Sequence, residues 1–261
     1  MKTRLLFIKL LLFSTLTHPV FQRSPDDTGL LPLSQQLLYN ARTGGPVDSI
    51  ITELAKIEPA LLAAQLKTDA QKKAFWLNIY NAYTQVILTE NTGAYKNRRA
   101  FFGKKQIRIA GMEFSLDDIE HGILRRSKIK WSLGYLNKTF PSGIEKKLRV
   151  EELDYRIHFA LNCGAKSCPP IAFYDAARLD QQLEIATKVY LSGESTYNEK
   201  ENRVYVPAIM GWFRGDFGGK KGILSILREL HIIPPGKSPF LEFKKYDWNL
   251  FLRNYKNEQD G

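Results

Sequence analysis

Cysteine is scarce in this chain: Cys163 and Cys168 are the only two among 261 residues. So small a number excludes a domain stapled by several disulfides. With no cysteine ahead of Cys163, a lipid-modified N-terminus of the bacterial lipoprotein kind has no acceptor. Internal repeats and low-complexity tracts are missing, which excludes solenoids and propellers. The one glycine-rich patch, GDFGGKKG at residues 215–222, lacks P-loop spacing, and no nucleotide site is expected there. What is present describes an ordinary globular chain, 44% hydrophobic, 12% aromatic and 25% charged. No break in composition favours two domains over one.

The formal charge is +11, from 38 Lys and Arg against 27 Asp and Glu. Basic residues are spread from Lys2 to Lys256 in short runs. They would concentrate acidic partners near the surface without selecting one, and they form no specific nucleic-acid motif. Residues 1–22 join Lys2 and Arg4 to the run LLFIKLLLFSTL and end at polar residues, the pattern of a secretory signal peptide. The apolar stretch, interrupted by Lys9, falls short of the roughly 20 residues a membrane span needs. The expectation is an exported chain, periplasmic or extracellular, with no membrane span after cleavage and a domain over residues 23–261. In an oxidising compartment the two cysteines pose a choice between a structural disulfide and a functional thiol.

Apolar residues recurring at three and four predict helices at about 30–40, 47–56, 69–90, 116–126, 176–191, 221–230 and 247–254. Strands are expected at 106–110, 112–115, 154–162 and 203–207. Irregular succession of the two, without repeated βαβ units, predicts an α+β fold: a single helix-rich domain with a small, mainly antiparallel sheet.

Three segments carry chemistry. In AFWLNIYNAYTQVIL an amide stripe, Asn78, Asn81 and Gln85, runs along one face of a core helix. Such amides either brace the structure or donate to a developing oxyanion. In FSLDDIEHGILRR, Ser115 and Asp118 form a weak capping box, and His121 stands four residues from both Asp117 and Arg125, with Glu120 beside it. In DYRIHFALNCGAKSCPP, Tyr155, Ile157, Phe159 and Leu161 alternate with Arg156, His158, Ala160 and Asn162, which reads as a half-buried strand presenting Cys163 at its end.

Together FWLNIYNAYT, FSLDDIEHGILR and RIHFALNCGAKSCPP resemble the bacterial and plant family known as domain of unknown function 547. The likeness continues in VPAIMGWFRGDF and less closely in YDWNLF, spanning about residues 65–250. The resemblance implies no established reaction. It implies a shared set at Asn78, Asn81, Glu120, His121, His158 and Cys163. Some plant members carry serine in place of Cys168, which singles out Cys163. Asn249-Leu250-Phe251 departs from the family's usual order, and no role is carried onto it.

The chemistry these residue types would support is a cysteine-dependent hydrolase or acyltransferase of the papain-like kind, related to thiol-hydrolase folds and acting on an amide or ester of an acidic or peptide-like substrate. Cys163 would be the nucleophile and His121 the base, with Glu120 or Asp117 orienting it and Asn78 or Asn81 assisting. His158 is set aside as base because an extended strand would hold it about 16 Å from Cys163. The alternatives are a non-enzymatic exported domain binding acidic ligands and a thiol/disulfide redox module, although Cys163 and Cys168 lack Cys-x-x-Cys spacing. Zinc on His121, His158, Cys163 and Cys168 matches no standard signature, so neither metal nor other cofactor is expected.

Overall fold

The computed structural model describes residues 29–256; the expected signal segment, residues 1–22, lies outside them. In chain order the elements are α1 (Leu30–Thr43), α2 (Asp48–Lys56), α3 (Pro59–Gln65), α4 (Asp69–Glu90), α5 (Arg98–Gly103), β1 (Ile107–Ile109) and β2 (Met112–Phe114). Then follow α6 (Gly143–Leu148), α7 (Leu179–Glu194), β3 (Thr196–Asn198), β4 (Arg203–Val206), α8 (Ala208–Trp212), α9 (Gly219–Glu229) and β5 (Phe240–Phe243). Between them run a π-helical turn at Asp118–Leu124 and 3₁₀ turns at Thr92–Asn97 and Tyr155–Phe159. The fold is α+β and helix-rich. β1 and β2 form an antiparallel hairpin, while β4 pairs antiparallel with β3 and parallel with β5.

The centre of the molecule is α4, apolar on most sides and buried from Lys72 to Val86 without interruption. Its start is sharp because Thr68 and Gln71 bond reciprocally, side chain to backbone, leaving fewer helix-start N–H groups unpaired. α1 packs along it. One apolar cluster gathers around these helices and a second around α7, β4, α8 and α9; Tyr246 touches both.

The amides of α4 account for how loops are hung on it. Asn78 donates to Tyr174 O and accepts from Tyr174 N, both at 2.9 Å. Asn81 donates to Ala160 O and accepts from Asn162 N, both at 2.9 Å. Gln85 accepts from Arg253 N at 2.9 Å. A side-chain amide presents a donor beside an acceptor, so it can pair with a peptide as a neighbouring strand would. Three loops that lack regular partners are satisfied this way.

Two expected elements are corrected. Residues 154–162 are not a strand: Tyr155–Phe159 is a 3₁₀ turn, capped by Asp154, whose carboxylate accepts from Arg156 N at 3.1 Å. The alternation of apolar and polar residues misleads here because Ile157, His158, Phe159 and Ala160 are all buried, so no solvent face exists to alternate with. Nor is 247–254 a helix. Its backbone runs along the cysteine loop, with Lys166 N donating to Asn249 O at 2.8 Å, Phe251 N to Gly164 O at 2.8 Å, and Ile171 N to Asn254 O at 2.7 Å. Pairing with that loop replaces pairing within a helix.

Candidate active site at the Cys163 cavity

Cys163 follows the 3₁₀ turn on a loop tied at both ends. Asn162 accepts from Gly164 N at 2.9 Å and donates to Pro169 O at 2.8 Å. Gly164 turns the chain with φ +86°, and a Cβ there would lie 2.8 Å from Leu88 Cδ1. The loop brings Cys168 back onto Cys163. The two sulfurs are free and 2.7 Å apart, and Cys163 N lies 3.0 Å from the Cys168 sulfur. Tyr246 places its hydroxyl 3.1 Å from the Cys168 sulfur and 3.4 Å from that of Cys163.

The environment divides the two thiols. The hydrogen bond from Cys168, helped by Tyr246 and the Ala165 N–H, holds the Cys163 thiol below its ordinary value against the opposing effect of burial. Burial pushes Cys168 well up, so it keeps its proton and serves as donor. Tyr246 is likewise pushed up by burial and stays a phenol. Ionisation therefore falls first on Cys163, the half-buried member, beside a buried Cys168.

Both sulfurs border a cavity of about 380 Å³, within the size range of small-molecule sites. Trp131, Trp212, Trp248, Phe102 and Phe213 supply aromatic wall, and residues of both apolar clusters contribute. Glu120, His121 and His158 border the same cavity, so the structure brings four of the six expected residues together. Asn78 and Asn81 are not among them. Their amides are engaged by loop backbone, and an assisting role in the cavity has no geometric support.

The π-helical turn supplies the acidic and imidazole groups. Ser115 and Asp118 cap it reciprocally, with Ser115 N donating to Asp118 at 2.8 Å and Asp118 N to Ser115 Oγ at 3.0 Å. Glu120 accepts from the Tyr80 hydroxyl at 3.3 Å. His121 Nδ1 lies 2.8 Å from Arg125 Nη1 and 3.5 Å separates its Nε2 from Asp117. A guanidinium only donates, so His121 Nδ1 is an engaged acceptor and its proton resides on Nε2.

His158 is held differently. Its Nε2–H donates to Asp216 at 2.8 Å, and its ring stacks on Phe213 at 4.1 Å. Asp216 also accepts from Arg125 Nε at 2.6 Å, and both side chains of that ion pair are wholly buried. Burial holds the His158 imidazole below its ordinary value despite the carboxylate, so it is neutral near pH 7. Hydrogen bonds from His158 and Arg125 outweigh burial at Asp216 and keep its carboxyl below the usual range. With Nε2 donating, the lone pair of His158 is on Nδ1, which has no protein partner among the described residues. The distance argument against His158 required a strand, which the 3₁₀ turn removes. Neither imidazole is hydrogen-bonded to Cys163, so the sulfur is polarised by a thiol and a phenol rather than by a histidine.

Asp216, Tyr246 and Tyr80 were not identified from sequence. Asp216 stands in the VPAIMGWFRGDF segment and Tyr246 opens YDWNLF, so the signal was local likeness without an assigned chemistry. The turn carrying Asp216 is locked to residues 128–137. Gly215 N donates to Leu133 O at 2.7 Å, and a Cβ on Gly134, at φ +87°, would lie 2.8 Å from Asp216 N. This close approach carries Trp131 and Leu133 to the cavity wall.

Among the described residues no group of three or more His, Cys, Asp or Glu is arranged to hold a metal ion, and no helix is long and apolar enough to cross a membrane. No curated protein and no solved structure matches the chain. The stretch with Asp216 and Tyr246 lies beyond the part that a family model recognises. Residues 63–191, which hold Glu120, His121, His158 and both cysteines, match the family described as Protein of unknown function, DUF547, and over that span the chain's resemblance to this family is shown.

Proposed function

We propose that the cavity is the active site of a thiol-dependent hydrolase or acyltransferase acting on an amide or ester. The observation that carries this reading is the half-buried Cys163 sulfur at the edge of an aromatic cavity, supplied with hydrogen bonds by Cys168 and Tyr246. So held, the sulfur is an acidic thiol that gives up its proton as it attacks, with no imidazole bonded to it at rest. It adds to the carbonyl carbon, forming a C–S bond as the carbonyl electrons move to oxygen. The sulfur then accepts hydrogen bonds poorly, which frees the Tyr246 hydroxyl toward the oxyanion. His158 Nδ1 receives the proton lost from Cys163, directly or through one water, and Asp216 stabilises the resulting imidazolium. Collapse breaks the bond to the leaving nitrogen or oxygen, which takes that proton. Water or an acceptor hydroxyl then attacks the thioester, giving its proton to His158, which returns it to the departing Cys163 sulfur. His158 replaces His121 as base in this reading because the lone pair of His121 is occupied by Arg125. The substrate class is an acidic or peptide-like acyl compound with an apolar group for the aromatic wall. The N-terminal signal pattern supports an exported location for the activity.

The test is a chromogenic p-nitrophenyl ester. One equivalent of p-nitrophenol released rapidly per chain, abolished in Cys163→Ser, supports the proposal. Release unchanged by that substitution sinks it. The sulfur separation of 2.7 Å favours a second reading, a dithiol that closes to a disulfide. Diamide would take two electrons and two protons from the pair. A loss of two hydrogens in intact mass, with Cys163 then shielded from iodoacetamide, supports it; a disulfide-linked dimer argues against it.

A further inference from the structure

Residues 126–149 concentrate two features that are dilute elsewhere. Trp131 is 76% exposed and Phe140 92%, with Tyr135, Leu136 and Ile144 also open to solvent. The same stretch holds seven Lys and Arg against Glu145 alone, more than half of the chain's net charge of +11. Lys130 and Lys138 are ion-paired to Asp117 and Glu145. Lys128, Lys146 and Lys147 have no ion-pair partner among the described residues. The stretch is a built excursion rather than a loose loop. Lys128 bridges Asn137, and Gly134 is pressed onto Asp216. A rigid segment that holds large aromatic side chains in water, next to unpaired lysines, has the composition of an interfacial anchor. Trp131 and Leu133 belong both to this surface and to the wall of the Cys163 cavity.

We propose that residues 126–149 dock on an anionic lipid surface and open the cavity toward it, so that the acyl substrate is an amphiphile whose apolar chain enters between Trp131 and Leu133. Opposite charge selects this occupant over a neutral apolar partner or a second copy of the chain, whose identical stretch would be repelled. The substrate half rests on the acyl-transfer reading; the docking half does not.

The full chain is sedimented with vesicles of phosphatidylglycerol and phosphatidylcholine, and with phosphatidylcholine alone. Phe140→Ser and the pair Lys146→Gln, Lys147→Gln are compared with the parent, all carrying the same N-terminal residues; near-ultraviolet circular dichroism verifies that each is folded. Binding should require the anionic lipid and weaken with salt. Removing two lysines should lower it on the order of thirtyfold, and Phe140→Ser should lower it as well. Equal binding of parent and folded variants overturns the docking, as does a parent that is dimeric in solution, ignores vesicles and becomes monomeric on Phe140→Ser. For the substrate half, the lysine variant should hydrolyse soluble p-nitrophenyl acetate like the parent and lose turnover of p-nitrophenyl myristate carried in anionic vesicles; equal loss on both esters overturns it. Variant-sensitive vesicle binding by a parent inert to both esters would leave the docking standing and remove the acyl-transfer reading with its substrate.

Discussion

Asp216→Asn tests the frame of the site most severely. The carboxylate accepts from Arg125 at 2.6 Å and from His158 at 2.8 Å, with Arg125 and Asp216 both wholly out of water. Asparagine keeps the shape and one acceptor but removes the charge, leaving a guanidinium buried over Phe213 without its counter-ion. Breaking one partner of such a pair costs about 3–5 kcal/mol, and the conservative amide places the expected loss near the lower end. With a urea dependence of about 3 kcal/mol per molar for a chain this long, the unfolding midpoint followed by tryptophan fluorescence should fall by about 1 M. Adding Arg125→Met should recover part of that loss, because the orphaned charge is gone. The pH dependence has a defined sign. Asp216 lies below its ordinary 3.8 in the folded chain, so its contribution is present above that value and is lost as pH falls toward the folded value. His158 lies below its ordinary 6.5, so the unfolded chain takes up its proton first and stability also declines as pH drops below about 6.5. The gap between parent and Asp216→Asn should therefore narrow in acid. A midpoint shift under about 0.3 M, or strictly additive losses in the double variant, would refute the account of a coupled buried pair.

Three further outcomes follow from the same geometry. Iodoacetamide alkylation of Cys163 should rise with pH about a midpoint below 9.0, and Cys168→Ala should move that midpoint upward, because the Cys168 hydrogen bond is the largest influence lowering it; an unmoved midpoint contradicts the donor role. Asn81→Ala leaves Ala160 O and Asn162 N without their partner at about 1–3 kcal/mol for each group, so chemical unfolding should show a loss of about 2 kcal/mol or more, and a loss below about 0.5 kcal/mol would mean the loop rests on something else. His158→Gln should slow thioester formation, measured as the burst rate, far more than His121→Gln does; the reverse order would return the base to His121.

The helices were legible where a pattern had a solvent side to be read against. α1, α2, α7 and α9 each bury one stripe, and the length of the apolar recurrence in α4 compensates for its lack of a solvent face from Lys72 to Val86. The stretch 154–162 misled for the opposite reason: it alternates, yet Ile157 to Asn162 are all buried, so side-chain polarity there reports internal partners such as Asp216 rather than exposure. The stretch 247–254 has helical spacing, but a backbone already paired with the cysteine loop has no hydrogen bonds left to give a helix. At the site, Cys163, Glu120, His121 and His158 stood out as residue types, and the cavity gathers them. Asp216 and Tyr246 did not, since their function depends on contacts 58 and 83 positions away along the chain, which no local pattern encodes.

That distance in sequence also bears on how the thiol is activated. A cysteine paired with histidine draws its acidity from an imidazolium, so replacing that histidine raises the pH at which the thiolate forms. Here the donors are a thiol and a phenol that burial keeps protonated well above neutral pH. The midpoint of Cys163 alkylation should therefore stay in place in His158→Gln and His121→Gln, while the descending limb of turnover, where proton delivery to the leaving group matters, should track His158. Measuring alkylation and ester turnover across one pH series separates the two. If either histidine variant moves the alkylation midpoint upward, an imidazole governs the sulfur, and activation by Cys168 and Tyr246 is wrong.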